Sequence, residues 1–178
     1  MEIKAVTTYD YKVYKDFSRF NLFHSKQSKR IVTLFIVMLI LMFLLSLINV
    51  IAEGEITAIL PNVCIAGFII LLWVVMYFAV PKLSYKFAGK LVNTNNVFTF
   101  KEDELYIVSE NPQSSGTSTI KYEMLYMVYD VPEYYYIYLN MAQALLVRKD
   151  SVTKEEAEQI GNVLRKYLPA KKYVIRKK

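Results

Sequence analysis

The chain is poor in cysteine and histidine, with one of each among 178 residues. A disulfide framework needs cysteine pairs, and a structural zinc site needs about four Cys or His ligands. Neither can be built within one chain. Cys64 lies in an apolar stretch, where a thiol ordinarily serves as a small hydrophobe. His24 lies in a different environment, which removes a Cys–His nucleophile pair. The phosphate loop GxxxxGK(S/T), the dinucleotide loop GxGxxG and the nucleophile elbow GxSxG are all missing. These shortages speak against an enzyme, and no metal or other cofactor is expected. Charge is also scarce in one place. Between Arg30 and Lys82 the only charged residues are Glu53 and Glu55. That concentration excludes a single soluble globule, and 15 Tyr with 10 Phe exclude a disordered chain.

What is present in the charge-poor region is two long apolar runs. Ile31 to Ala52 is 22 residues without a charge, 16 of them Leu, Ile, Val or Phe. At 1.5 Å per residue such a helix is about 33 Å long, enough for a hydrocarbon core of ~30 Å. A signal peptide fits poorly, because the run begins 30 residues in, is too long and has no small-residue cleavage site after it. Ile56 to Val80 is the second run, with Pro61 in the first turn, where a missing N–H costs little. The short Glu53-Gly54-Glu55 connection makes the pair a tight antiparallel hairpin. Lys26, Lys29 and Arg30 precede it, Lys82, Lys86 and Lys90 follow it, and the connection has no base. The positive-inside rule then puts both termini in the cytoplasm and the chain in the plasma membrane. The net charge of +6 divides as +4 before the spans, −2 between them and +4 after. It is therefore explained by orientation, and nucleic acid is not expected as a partner.

Within the hairpin, Asn49 and Asn62 fall at similar depth. They either hydrogen-bond to each other or reach interfacial water. Ala58, Asn62 and Ala66 recur every fourth residue and permit close approach of the helices. Pro81 is expected to end or kink the second helix. Beyond it, Lys82, Lys86 and Lys90 alternate with Leu83, Phe87 and Leu91 at helical spacing. This is the pattern of an interfacial amphipathic helix.

The flanking regions read differently. In residues 1–30, Ile3 to Val6 is a short strand. A helix follows, capped by Thr7 or Thr8, with a stripe of Tyr11, Tyr14, Phe17 and Phe20. From residue 92 the period changes. Asn96 to Phe100 and Leu105 to Ser109 form a hairpin. Glu110 to Ser118 reads as a flexible loop, Ser118 to Tyr122 as a third strand and Met124 to Tyr129 as a fourth. Tyr134 to Leu139 and Ala144 to Arg148 form another hairpin, and Val174-Ile175 adds a short strand. Thr153 to Glu156 is a capping box opening a helix whose apolar stripe is Ala157, Ile160, Val163, Leu164 and Tyr167. The expected division is 1–30, 31–80 (the transmembrane hairpin), 81–91 (juxtamembrane) and 92–178. The expected fold class is an α+β membrane protein whose cytoplasmic antiparallel β domain ends in one helix.

Phe20 to Lys26 before the first run, the two close spans, and Phe98 to Leu105 opening a β-rich tail resemble the bacterial YcxB-like membrane protein family. Thr119-Ile120-Lys121-Tyr122, and Arg148-Lys149 before the capped helix, belong to the same resemblance. It implies a C-terminal domain similar in fold to pleckstrin-homology domains, facing the cytoplasm, and no catalytic or binding residues.

The expected function is a membrane-anchored, non-enzymatic binding or scaffold protein. Its β domain would engage a protein partner or anionic lipid headgroups; the alternative is an accessory subunit of a transport or cell-envelope complex. Lys82, Lys86, Lys90, Lys171 and Lys172 are the candidate headgroup contacts. Tyr134-Tyr135-Tyr136 is a candidate contact surface for a partner, although tyrosines in strands are as readily cross-strand packing.

Overall fold

The computed structural model describes residues 2–24, 26–53, 59–87, 93–111 and 114–176. The side chains of residues 24, 26–29, 31, 49 and 53 lie outside that description. The chain forms two compact units. One comprises Met1–Val13 with Ala88–Lys178, and the other Tyr14–Phe87. The elements are β1 (Ile3–Thr8), α1 (Tyr11–His24), α2 (Lys26–Glu53), α3 (Leu60–Phe87), β2 (Asn95–Phe100), β3 (Glu104–Asn111) and β4 (Ser114–Lys121). They continue with β5 (Met127–Asp130), β6 (Tyr134–Tyr138), β7 (Ala144–Arg148), α4 (Lys154–Tyr167) and β8 (Tyr173–Ile175).

The first unit is built from two four-stranded sheets, β1-β2-β3-β4 and β7-β6-β5-β8. The first pairing corrects the division at residue 30. β1 is not part of a separate N-terminal region. It pairs antiparallel with β2, Ile3 opposite Phe100 and Thr8 opposite Asn95. Two further bonds, Tyr9 N to Thr94 O and Asn93 N to Tyr9 O, both 3.0 Å, extend this ladder. Asn93 takes a left-handed φ of 57°, which Asn tolerates better than most residues. The physical reason for the pairing is burial: Ile3 and Ala5 are core residues, with Phe98 and Phe100 beside them. β1 and β2 are thus a hairpin whose connection contains all three of α1, α2 and α3. On its other side β1 holds β7 through side chains. Arg148 N donates to Thr7 Oγ1 and Leu146 N to the Tyr9 hydroxyl, each at 3.0 Å.

The core gathers Phe98, Phe100, Leu105 and Ile107 from the first sheet with Val128, Tyr135, Ile137 and Val147 from the second. α4 adds the fully buried Ile160 and Leu164. Its N-terminus is fixed by the expected capping box, with Thr153 Oγ1 accepting from Glu156 N and the Glu156 carboxylate accepting from Thr153 N. All five residues of β6 are buried. Tyr134 stacks on Tyr136 at 5.3 Å, and Tyr129 meets Tyr138 edge-on at 5.6 Å. Burial on both faces is why apolar–polar alternation fails to mark this strand.

Three more expectations are corrected in this unit. Glu110 to Ser118 is not a flexible loop; most of it is the end of β3 and the start of β4, paired from Asn111–Ser114 to Glu104–Lys121. Asn111 Oδ1 accepts from Ser114 N at 2.7 Å, a side-chain bond between the paired ends of β3 and β4. The third strand is correspondingly longer, and a 3-10 turn at Tyr122–Met124 delays the fourth to Met127. The cap of α1 is neither Thr7 nor Thr8, both of which lie in β1. It is Asp10, whose Oδ1 accepts from Val13 N at 2.8 Å.

The second unit is helical. Val32–Ala52 and Leu60–Phe87 have mean hydropathies of 3.0 and 2.7, and both are long and apolar enough to span a membrane. They meet along one narrow stripe. Met42, buried Ser46 and Val50 on α2, and Asn62, Ala66 and Ile69 on α3, are the more enclosed positions. The remaining apolar faces are bare, as with Leu45 at 61% and Ile70 at 65% exposure. Asn62 Nδ2 donates to the Met42 carbonyl at 3.4 Å, so its partner is a backbone oxygen of the other helix. The proposed Asn49 side chain partner lies outside the described residues. Pro81 does not end α3, which runs on to Phe87 with Pro81 buried inside it. Lys82 and Lys86 are therefore the last turns of α3 and not a separate juxtamembrane helix.

Candidate functional site

The lysines singled out from the sequence are distributed over both units. Lys82 and Lys86 are exposed on one face of α3, with exposed Leu83 and Phe87 beside them. The basic and apolar pairs therefore run side by side along the last turns of α3. Lys90 lies outside the described residues. Lys171 is exposed just before β8. Lys172 is committed elsewhere: its Nζ donates to the Leu125 carbonyl at 3.2 Å, and its own carbonyl accepts from Val128 N at 2.8 Å. Lys172 therefore fastens β8 to β5 and is not a free headgroup contact. Tyr134, Tyr135 and Tyr136 are 2–3% exposed and offer no contact surface to a partner.

The most connected polar cluster was not visible in the sequence. Asp130, at the end of β5, accepts from the Lys149 ammonium through one oxygen and from the Tyr173 hydroxyl, at 2.6 Å, through the other. Lys149 also sits 4.2 Å above the ring of Tyr135. The Tyr135 hydroxyl donates to the Ala157 carbonyl of α4 at 2.6 Å. Both phenols are held neutral well beyond the usual tyrosine range, chiefly by burial, with Asp130 adding to it. The hydroxyls of Tyr135 and Tyr173 stand 3.2 and 3.1 Å from where a Cβ on Gly161 would be, so α4 approaches the sheet closely because that position is glycine. No spacing rule links residues 130, 135, 149 and 173. They meet because strand register sets Asp130 opposite Tyr135 and Ile175, and Tyr134 opposite Arg148.

What this cluster can do is hold. Asp130, Lys149, Tyr135 and Tyr173 are each committed to a neighbour, and together they tie β5, β6, β8 and α4 into one block. Among the described residues no group of three His, Cys, Asp or Glu is placed to hold a metal ion.

The remaining surface feature of the β unit is its edge. β4 ends the first sheet, and seven of its eight residues are exposed. Natural sheets blunt such edges with charge, proline or a covering element. β4 reads SSGTSTIK, neutral until Lys121. Its outer row of backbone N–H and C=O groups is unpaired within the described sheets.

Residues 100–164 match the YcxB-like protein family. The match runs from the last residue of β2 to Leu164 in α4, so it covers the β3–β7 strands and most of the capped helix. It takes in Asp130, Tyr135 and Lys149 of the polar cluster, together with the β4 edge. β1 and the apolar helices lie outside the YcxB-like match. No curated protein and no solved structure matches the chain.

Proposed function

We propose that this chain is a membrane-anchored, non-enzymatic binding protein whose β unit faces the cytoplasm and takes a protein partner along β4. The anchor is the α2–α3 hairpin. Its support is the bare apolar surface of two long helices, which nothing in the described chain covers. Exposed in water, that surface would cost roughly 25 cal/mol per Å²; in hydrocarbon it costs nothing. The lysines on the last turns of α3 and the acidic connection between the helices support a cytoplasmic β unit. Seven strands in two sheets followed by α4 are the arrangement expected of a pleckstrin-homology-like domain, to which β8 adds a strand after the helix. In this reading the membrane hairpin occupies the loop between its first two strands.

The observation that carries partner binding is the uncovered β4 edge. An extended segment can add to such an edge through main-chain bonds, and small side chains on both faces leave room for it. A protein partner is favoured over headgroups on the β unit because Lys172 is consumed by the fold.

The test is photo-cross-linking of the full chain in its own membrane from a probe at Ser115, with proline placed at Thr117 and Ser118 in turn. Proline removes one backbone donor at each position, and only the outward-facing one should abolish cross-linking while leaving the β unit folded. Recovery of the chain alone, or cross-linking indifferent to both prolines, would contradict strand addition.

A further inference from the structure

In the helical unit, α1, α2 and α3 enclose an open groove of about 530 Å³. Leu22 and Phe23 of α1, Ile36 and Leu39 of α2, and Ile69 and Trp73 of α3 line it. Phe23 joins the walls, with its ring 5.8 Å from Trp73 and 6.0 Å from Tyr77. One helical turn further along both α1 and α3 stands a second row, Arg19 and Tyr77. The Arg19 guanidinium lies 4.3 Å from the Tyr77 ring centroid. A cation stacked in this way is oriented by the ring. Its Nε is buried and has no hydrogen-bond partner. A desolvated charged donor without an acceptor is costly, and native structures rarely tolerate it.

An apolar slot with an oriented, under-satisfied guanidinium one turn beyond it has the shape of an amphiphile. We infer that the groove holds one acyl chain of an anionic phospholipid whose phosphodiester accepts hydrogen bonds from Arg19. Arginine suits this task because its planar fork meets two phosphate oxygens at once. Tyr77 holds the fork in place, and Trp73 lies where an indole is favoured, between the acyl and headgroup regions. The inference rests on the bilayer reading of α2 and α3, but it does not depend on any partner of β4.

Trp73 is the sole tryptophan of the chain and lines the groove, so it reports on the occupant directly. The full chain is reconstituted in phosphatidylcholine vesicles containing a minority of lipid with brominated acyl chains, either phosphatidylglycerol or phosphatidylcholine. Brominated phosphatidylglycerol should quench Trp73 more strongly than the same fraction of brominated phosphatidylcholine. Arg19→Gln should abolish that preference, and Arg19→Lys should restore only part of it. Lys171→Gln, which removes one charge from the β unit, should leave it intact. Equal quenching of the unaltered chain by both lipids, or loss of preference with Lys171→Gln as well, would overturn the inference and leave the bilayer reading standing. No quenching by either lipid would overturn both. Helical circular dichroism of each variant confirms that the hairpin is retained.

Discussion

Phe98 and Leu71 are both large apolar side chains in regular structure, yet Phe98 is 0% exposed and Leu71 is 57% exposed. The difference holds for their whole units. The β unit spends its apolar residues on its own core and seats Tyr122, Tyr135 and Tyr173 inside, with hydroxyls bonded to the backbone or to Asp130. The helical unit uses Leu, Ile and Val just as freely but buries almost none of them. It satisfies its backbone within each helix and makes contact along one stripe. The first region encloses its apolar residues, whereas the second leaves most of its own uncovered within the described chain. Apolar content alone does not separate them; what separates them is whether the apolar residues find one another.

The largest test of this contrast is a pair of truncations. Phe98→Ala removes a fully buried ring and should cost the β unit about 3–5 kcal/mol in urea denaturation of the detergent-solubilised chain. Leu71→Ala should leave that transition where it was. A shift with Leu71→Ala would mean that the helical face supports the β unit and that the two regions are not independent cores.

A smaller effect should follow from opening the polar cluster. Asp130→Ala leaves the Lys149 ammonium and the Tyr173 hydroxyl without their shared acceptor, at a cost of about 2 kcal/mol. A double-mutant cycle with Lys149→Ala should show coupling of more than about 0.5 kcal/mol, since the two side chains are in direct contact. Additive effects would show that the cluster is not a unit.

Alkaline pH probes the same buried phenols. The fold keeps Tyr122, Tyr135, Tyr138 and Tyr173 neutral above the usual range, mainly through burial. The unfolded chain therefore loses these protons first, near pH ~10. The stabilisation is intact below that pH and falls as pH rises above it. Thermal midpoints of the β unit should hold steady up to about pH 9–10 and then decline, and Tyr173→Phe should make the decline shallower. The smallest predicted effect is at the joint between the sheets. Thr7→Val keeps the shape of a fully buried side chain but removes the acceptor of Arg148 N. The expected loss is about 1 kcal/mol in the same urea transition. A null result there would mean that the Thr7–Arg148 bond adds nothing to the β1–β2 pairing and the Tyr9–Leu146 bond.

Much of the fold was legible because its signals are local. The two apolar runs, the hairpins at 96–109 and 134–148, the Val174-Ile175 strand and the capping box at Thr153 each announce themselves within one continuous stretch of sequence. What was not legible is long-range or chemically plain. The Ile3 strand could be read, but its partner lies 97 residues away, opposite Phe100. β4 carries Ser, Thr and Gly with no alternating apolar face, so it reads as loop even though the register of β3 organises it. Pro81 reads as a breaker, yet the helix continues through it. The apolar residues on both sides of Pro81 place that stretch within a helix already 20 residues long, counted from Pro61. The polar cluster depends on the registers of three strand pairs, and the commitment of Lys172 depends on the seating of β8. Neither leaves a mark in residue spacing.

The central claim is that a membrane hairpin is inserted between two paired strands of one cytoplasmic β unit. Cys64 is the only cysteine, so a Cys64→Ser background allows single-site labelling. In intact cells, a membrane-impermeant thiol reagent should label Gly54→Cys between the two helices, and should reach Ser118→Cys on β4 only after the membrane is opened. Labelling of Ser118→Cys in intact cells, or protection of Gly54→Cys until lysis, would contradict the account.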